Sequence, residues 1–155
     1  MSNVLTATKI NSDAIAGLAE LIEASDTPDK LINQGRCGRF HDRATLDVDG
    51  RLGVSVFQST SFSLPFKMEM MERHPLGSQA FVPMQEGEYL VVLAEDKDGA
   101  PAAPRAFIAG SGQAVNTPAV QPSSLASRSS VAHRSQADSP RSVPATTVPV
   151  TTSSR

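Results

Sequence analysis

Apolar and polar residues alternate along much of residues 40–109, which is the pattern of β-strands with one buried face. The most apolar run, residues 88–95, is typical of a strand covered on both faces. Residues 105–109 predict a further strand, and residues 4–10 predict a short opening strand. Turn-forming residues separate these runs at 85–87, 96–101 and 110–112. Several short strands with little helix indicate an all-β barrel or sandwich.

One pair of strands has a specific turn signal between them. Asp49-Gly50 separates residues 40–48 from residues 51–59. This dipeptide suits a type I′ turn, in which both central residues need positive φ. The sequence therefore predicts a β-hairpin over residues 40–59, with Leu52, Val54 and Val56 on one face.

A short helix is predicted near the N-terminus. Asn11 or Ser12 can cap it, and the apolar residues Ile15, Leu18, Ala19 and Ile22 follow with helical spacing. An extended conformation for residues 20–23 is the alternative. Residues 25–39 are rich in turn formers and are expected to form an exposed loop.

The last 39 residues differ in composition from the rest of the chain. Residues 117–155 contain 10 Ser, 5 Thr and 5 Pro, and Leu125 is their only large aliphatic residue apart from Val. Too little apolar surface is available to offset the entropy of ordering such a segment. We therefore expect a folded domain at residues 1–116 and a disordered, low-complexity tail at residues 117–155.

Charge and cysteine content narrow the class of protein. Residues 1–116 carry 10 Lys and Arg against 15 Asp and Glu, and the tail has 4 Arg, no Lys and no aromatic residue. This balance argues against nucleic-acid binding. The single Cys37 excludes an intrachain disulfide, and the sequence shows neither a signal peptide nor an apolar run long enough to span a bilayer. We expect a cytoplasmic protein without a membrane partner.

Ionisable residues interrupt an apolar face between residues 66 and 74. In an extended strand Phe66, Met68, Met70, Glu72 and His74 share one side. We therefore expect Glu72 and His74 to point into the interior or the mouth of the sheet. Because an unpaired charge is costly to bury, they are candidates for pairing, metal binding or catalysis. The chain breaks at Pro75 and Gly77 and then resumes, which is expected to bring Gln79 close to His74.

Glu72 and His74 also have an interpretation in which they are structural and have no role in binding or catalysis. Glu72 would pair with Arg73 or another Arg, and His74 would be a hydrogen-bonded core residue. Arg73 lies on the opposite side of the predicted strand, so we expect it at the surface or an interface rather than at a substrate.

The sequence ERHPLGSQAFVPM at residues 72–84 resembles the signature of the ureidoglycolate lyase family, formerly called ureidoglycolate hydrolase. Weaker similarity extends over about residues 5–116 and includes Phe40-His41-Asp42, residues 105–108 and residues 112–116. The resemblance implies a cupin-like β-barrel (jelly roll) and a cytoplasmic homodimer. It also implies cleavage of ureidoglycolate to glyoxylate and urea, a step of allantoin breakdown in purine and nitrogen metabolism.

The resemblance also implies roles for Glu72, His74 and Gln79. Cupin barrels commonly hold a divalent metal with His and carboxylate ligands, and these three residues resemble the first half of such a set. Nickel, manganese, iron and zinc all suit ligands of this type. The same residues alternatively fit as catalytic groups, with Glu72 and His74 as acid and base in either order and Gln79 hydrogen-bonded to substrate.

After Asn116 the resemblance stops. We hypothesise that the reading frame shifted near Asn116 and produced the Ser- and Pro-rich tail. Loss of the last strands would leave neighbouring strands unpaired and the site incomplete, so weak or absent activity is expected. The alternative function is that of a non-enzymatic cupin-like fragment or binding module.

Overall fold

The computed structural model describes residues 3–61, 63–119, 123–127 and 146–150. These residues form strands and one short helix. In chain order the elements are β1 (Asn3–Lys9), α1 (Ser12–Ile15), β2 (Glu20–Ile22), β3 (Lys30–Ile32), β4 (Cys37–Arg39), β5 (Gln79–Phe81), β6 (Tyr89–Lys97), β7 (Ala100–Ala109), β8 (Ala114–Thr117), β9 (Ser123–Ser127) and β10 (Thr146–Val150).

The strands form three sheets. The largest has the order β10-β1-β7-β6-β9, the second has the order β2-β8-β5, and β3 pairs with β4 alone. All pairings are antiparallel except that of β1 with β7. The all-β prediction is therefore confirmed, although the pairings seen in the described ranges do not close a barrel.

The β6–β7 hairpin lies inside the large sheet, and β6 is buried on both faces from Tyr89 to Ala94. Tyr89, Val91 and Leu93 point into a core that also contains Leu21 of β2 and Val115 of β8, so this core joins the large sheet to the second one. Leu90 and Val92 point the other way, into a cluster with Ala7, Met68 and Ala106. The prediction of a strand covered on both faces is confirmed.

The N-terminal helix is capped as predicted but is short. The Oδ1 atom of Asn11 accepts a hydrogen bond of 2.8 Å from the backbone N–H of Ala14. The helix ends at Ile15, and Gly17 adopts a φ of 79° that an L side chain rarely takes. The chain then enters β2, so the extended alternative for residues 20–22 is correct. Among the described residues no helix is long and apolar enough to cross a membrane.

Two predictions for residues 25–59 are wrong. Residues 30–39 form the β3–β4 hairpin instead of a loop, because Asn33, Gln34 and Gly35 take positive φ and reverse the chain. The predicted hairpin around Asp49-Gly50 is absent. Residues 47–49 instead bond residues 76–78, with Ser78 N–H donating to Asp47 O at 2.6 Å and Asp49 N–H donating to Leu76 O at 2.8 Å.

Residues 66–74 do not form the continuous strand that was predicted. Met68 is buried and Phe66 is half-buried, as the alternation requires, but Met70 is exposed and Met71 is half-buried. The side that faces the protein therefore changes between Met68 and Met71. As a result Glu72 is exposed and does not point into the interior, which leaves the mouth of the sheet as its predicted position.

Two segments of the predicted disordered tail are placed as strands. Strand β9 pairs with β6 from Tyr89↔Ser127 to Leu93↔Ser123, and β10 pairs with β1 from Asn3↔Val150 to Ala7↔Thr146. Backbone pairing does not require large apolar side chains, which is the signal on which the disorder prediction rested. The rest of the tail beyond Ala119 lies outside the described residues, and the domain boundary at 116 stays a prediction.

Tyr89 gives the core a measurable pH dependence. It is 7% exposed, its hydroxyl donates to the backbone carbonyl of Gln113, and burial raises its pKa from 10.0 to about 12. The protonated phenol is favoured by folding, so its contribution to stability is intact below pH 10 and is lost as the pH rises through about 12.

We expect Tyr89→Phe to destabilise the protein by about 1 kcal/mol at neutral pH, because one hydrogen bond is lost. We also expect the variant to lose less stability than the parent above pH 10. Urea unfolding at pH 7 and at increasing pH above 10 measures both effects. An unchanged alkaline slope would contradict the assignment to Tyr89.

Candidate functional site

The candidate site lies where residues 71–78 pass the edge of the large sheet. The Met71 side chain packs against the apolar cluster that contains Leu90 and Val92. Glu72 is then fixed by two backbone hydrogen bonds with Ser123: Glu72 N–H donates at 2.9 Å and Ser123 N–H donates back at 2.7 Å. Because Ser123 also pairs with Leu93 of β6, β9 lies between β6 and residue 72.

Glu72 and His74 are neighbours in space. The Oε2 atom of Glu72 lies 3.8 Å from the Nε2 atom of His74, which is close enough for an ion pair but too long for a hydrogen bond. Their side chains are 61% and 40% exposed, respectively. The Nε2 atom of His74 is nevertheless buried, and none of the described residues hydrogen-bonds it. The structure therefore places this pair at a partly open edge.

Gln79 begins β5 and is positioned by the central strand of the second sheet. It lies opposite Thr117 of β8, whose Oγ1 donates to the Gln79 carbonyl at 3.2 Å. By alternation Gln79 shares the face of Phe81 and Val115, which is the core side of this sheet. The side-chain Oε1 of Gln79 is buried, and within the described ranges it has no hydrogen-bond partner. His74 and Gln79 thus each present one buried polar atom that a ligand can satisfy.

Arg73 is engaged in a different interaction. Its Nη1 atom donates to Asp96 Oδ2 at 2.9 Å at the tip of the β6–β7 hairpin. The backbone N–H of Gly99 and then the Arg73 guanidinium hold the pKa of Asp96 below its ordinary value. The alternative in which Glu72 pairs with Arg73 is therefore not observed. Arg73 forms an ion pair with Asp96 of the β6–β7 hairpin, which compensates its charge.

Asn116 was not assigned a role from the sequence, yet it is completely buried in β8. Its Nδ2 atom donates to Glu20 Oε2 at 2.6 Å and to the Thr45 carbonyl at 3.0 Å. Its Oδ1 atom has no partner in the part of the chain that the structure describes. Asn116 lies opposite Glu20 and Ala80, so it faces away from the side that carries Gln79. Its bonds attach residue 45 to the outer face of the second sheet. A polar residue inside the apolar run of β8 was the available signal.

Two cavities lie near these elements, and the three predicted site residues line neither. One of about 570 Å³ lies between residues 40–46 and the outer face of the second sheet, with Phe40, Arg43, Leu46 and Val82 among its lining residues. The other, of about 240 Å³, is bordered by Pro75, Leu76 and Gly77 and by residues 47–49. Glu72 and His74 thus lie outside both of these cavities.

The possible metal ligands at this site are Glu72, His74 and Gln79. Within the described ranges no group of three or more His, Cys, Asp or Glu side chains is close enough to hold one ion. Glu72 and His74 supply two donors, and Gln79 supplies an amide oxygen, which is a weaker ligand for a transition metal. These residues alone do not fit a closed metal centre.

Comparisons with known proteins identify the relatives of this chain. A family model described as ureidoglycolate lyase matches residues 2–120. The ureidoglycolate lyase of Rhodobacter capsulatus is 48% identical over 109 residues, which cover 69% of this chain and 68% of the relative. Those of Chelativorans sp. and Brucella abortus are each 42% identical over 115 residues, which cover 72% of this chain and 70% and 68% of the relatives.

Proposed function

This chain belongs to the ureidoglycolate lyase family, and we propose that it cleaves ureidoglycolate to glyoxylate and urea. The observation that supports the site is the buried, unpartnered Nε2 of His74 lying 3.8 Å from the carboxylate of Glu72. A buried polar atom without a partner is costly, and substrate binding can provide that partner.

The reaction breaks the bond between the hydroxyl-bearing carbon of the substrate and a urea nitrogen. A base removes the hydroxyl proton, the oxygen forms the aldehyde carbonyl of glyoxylate, and the electron pair of the C–N bond leaves with the nitrogen. An acid protonates that nitrogen and releases urea. We propose that Glu72 and His74 are this acid and base, in either order. The Oε2 atom of Glu72 and the Nε2 atom of His74 lie 3.8 Å apart, so both can contact the same bound substrate.

Gln79 fits a role in binding. Its unpartnered Oε1 is an acceptor, and the urea part of the substrate carries N–H donors. A hydrogen bond from the terminal NH2 group, whose nitrogen is not bonded to the reacting carbon, would orient the urea group. Arg73 is not proposed to hold the substrate carboxylate, since Asp96 already neutralises it.

Further features of the family are proposals for this chain as well. They are a cupin-like barrel, a homodimer, a cytoplasmic location and a place in allantoin breakdown. A requirement for nickel, manganese, iron or zinc remains a prediction. The resemblance would make Glu72, His74 and Gln79 the ligands of such an ion, but these three donors alone do not fit a metal centre.

The experiment is to measure glyoxylate and urea released from ureidoglycolate by the purified chain. We expect both products in equal amounts, at a rate that is low but above that of the uncatalysed reaction. Substrate decay no faster than in a protein-free control would overturn the proposal for this chain. Products without stoichiometric urea would indicate a different reaction.

The metal prediction has its own measurement. The chain is dialysed against a chelator and then assayed with each divalent ion added separately. If the metal ligation is correct, chelation reduces the rate and one ion restores it, and Glu72→Gln lowers the affinity for that ion in a binding titration. An unchanged rate after verified metal removal would exclude the ligand role and leave the acid–base role.

A further inference from the structure

The cavity of about 570 Å³ between residues 40–46 and the second sheet has the walls of a small-molecule site. Its volume lies within the range of about 300–1,000 Å³ that is usual for such sites. Most of its lining residues are apolar: Phe40 and Leu46 line it from one side, and Ile22 and Ala80 line it from the second sheet. The cavity therefore offers apolar contact to the body of an organic ligand.

Arg43 is the cation among the lining residues, and it is already neutralised. Its Nη2 atom lies 2.8 Å from Oδ2 of Asp29, and its guanidinium lies 5.7 Å from the centre of the Phe40 ring. The backbone N–H of His41 and then Arg43 hold the pKa of Asp29 below its ordinary value, so this carboxylate is ionised at neutral pH. A bound anion is therefore not needed to balance Arg43.

Two further lining residues, Glu23 and Asp42, carry negative charge without a cation. The Oε2 atom of Glu23 accepts a hydrogen bond of 2.7 Å from Nε2 of Gln113, which orients the carboxylate but leaves its charge. Among the described residues neither Glu23 nor Asp42 forms an ion pair. The lining is thus apolar with two uncompensated carboxylates.

Hydrogen bonds hold residues 40–46 in place at the cavity. The backbone N–H of His41 donates to Asp29 Oδ2 at 2.7 Å, and that of Thr45 donates to Glu20 Oε2 at 3.0 Å. The buried Asn116 also donates to the Thr45 carbonyl at 3.0 Å. Because these contacts come from the protein alone, the cavity is formed before a ligand binds, which lowers the cost of binding.

We propose that this cavity binds an organic ammonium ion, with its cationic group at Glu23 and Asp42 and its apolar body against Phe40 and Leu46. An inorganic cation would leave the apolar walls uncovered, and an organic anion would meet the two carboxylates. Ala80 lines the cavity, whereas Gln79 before it faces the other side of β5. The ammonium ligand and the proposed substrate therefore occupy opposite faces of the second sheet, and this proposal does not rest on the lyase function.

Tryptamine, an indole that carries an ammonium group, is a suitable probe. The chain contains no Trp, so indole fluorescence reports the ligand without a protein background of the same kind. The full chain is titrated into tryptamine, and the fluorescence anisotropy of the indole is expected to rise to saturation. Tryptophol, in which a hydroxyl replaces the ammonium, should bind about 10-fold more weakly. Indolepropionate, which carries a carboxylate, should bind more weakly still.

Two variants place the ligand in the cavity. Glu23→Gln keeps an acceptor for Gln113 and removes the charge, so it should weaken tryptamine binding by about 10-fold. Asp42→Asn should weaken it by about 3-fold, because Asp42 is exposed. Neither variant should change the affinity for tryptophol, which also verifies that the cavity is intact.

The matched control is Asp98→Asn at the tip of the β6–β7 hairpin. Asp98 is exposed and has a φ of 55°, close to the 56° of Asp42, and it does not line the cavity. Asn tolerates this backbone conformation at both positions. The control should bind tryptamine as the parent chain does.

Four results would overturn the proposal. Equal affinities for tryptamine and tryptophol would mean that the site does not select charge. Tighter binding of indolepropionate would mean that Arg43 rather than the carboxylates determines the ligand. Absence of saturable binding would exclude a ligand of this class, and an equal loss in Asp98→Asn would indicate a general effect of surface charge.

Discussion

Replacing residues 117–155 with the C-terminal segment of the Rhodobacter capsulatus relative should raise kcat/KM for ureidoglycolate by about 100-fold or more, the scale of one correctly placed acid–base group. The family match ends at residue 120, and the matched part covers only 68% of that relative. In the present chain Ser123 of β9 is the residue bonded to Glu72, so the divergent tail directly borders the candidate site. We expect the relative's segment to supply side chains beside Glu72 and His74 that residues 117–155 lack.

The control is a chimera of equal length that carries the same relative segment in scrambled order. It should match the present chain in activity. Glyoxylate release measures all three proteins, and far-ultraviolet circular dichroism checks that each is folded. Equal activity of the present chain and the native-segment chimera would show that residues 1–116 suffice, and the truncation hypothesis would then fail.

The sequence predicted the centre of the fold well, because the decisive signals there were local. Strand β6 was found from a continuous apolar run, and the helix cap at Asn11 was found from its residue type. In both cases neighbouring residues along the chain determine the structure. The end of β7 at Ala109 was also found, whereas its start at Ala100 was missed because Pro101 and Pro104 are typical of turns.

The errors came from strands whose partners are distant in the sequence. Asp49-Gly50 has the composition of a hairpin turn, but residues 47–49 bond residues 76–78 instead. Nothing in residues 40–59 encodes that choice, since a strand pattern specifies a face and not a partner.

The site was predicted only in part, because the side that a residue faces also depends on contacts with distant parts of the chain. Strict alternation from Phe66 placed Glu72 inside, and one irregularity between Met68 and Met71 placed it at the surface. The proximity of Glu72 and His74 survives this error, because residues two apart in an extended segment stay neighbours. The burial of Asn116 was not predicted, since it depends on Glu20 and Thr45, which come from other parts of the chain.

In the active chimera, His74→Asn should lower kcat/KM by about 10²–10⁴-fold, because the proton transfer assigned to the imidazole is lost. Glu72→Gln should cause a loss of similar size. The matched control is Glu69→Gln on the same segment, since Glu69 is also an exposed carboxylate and pairs with Lys67 at 3.0 Å. It should keep nearly full activity, so a charge effect common to this surface would be excluded.

The double variant decides whether Glu72 and His74 act together. Groups that act as one catalytic unit show strongly non-additive losses, so the double variant should lose little more than His74→Asn alone. Additive losses would mean that the two residues serve separate steps, and the 3.8 Å contact would then be incidental to catalysis. Full activity of His74→Asn in the folded chimera would remove the imidazole from the mechanism and leave Gln79 and residues of the restored segment as the alternatives.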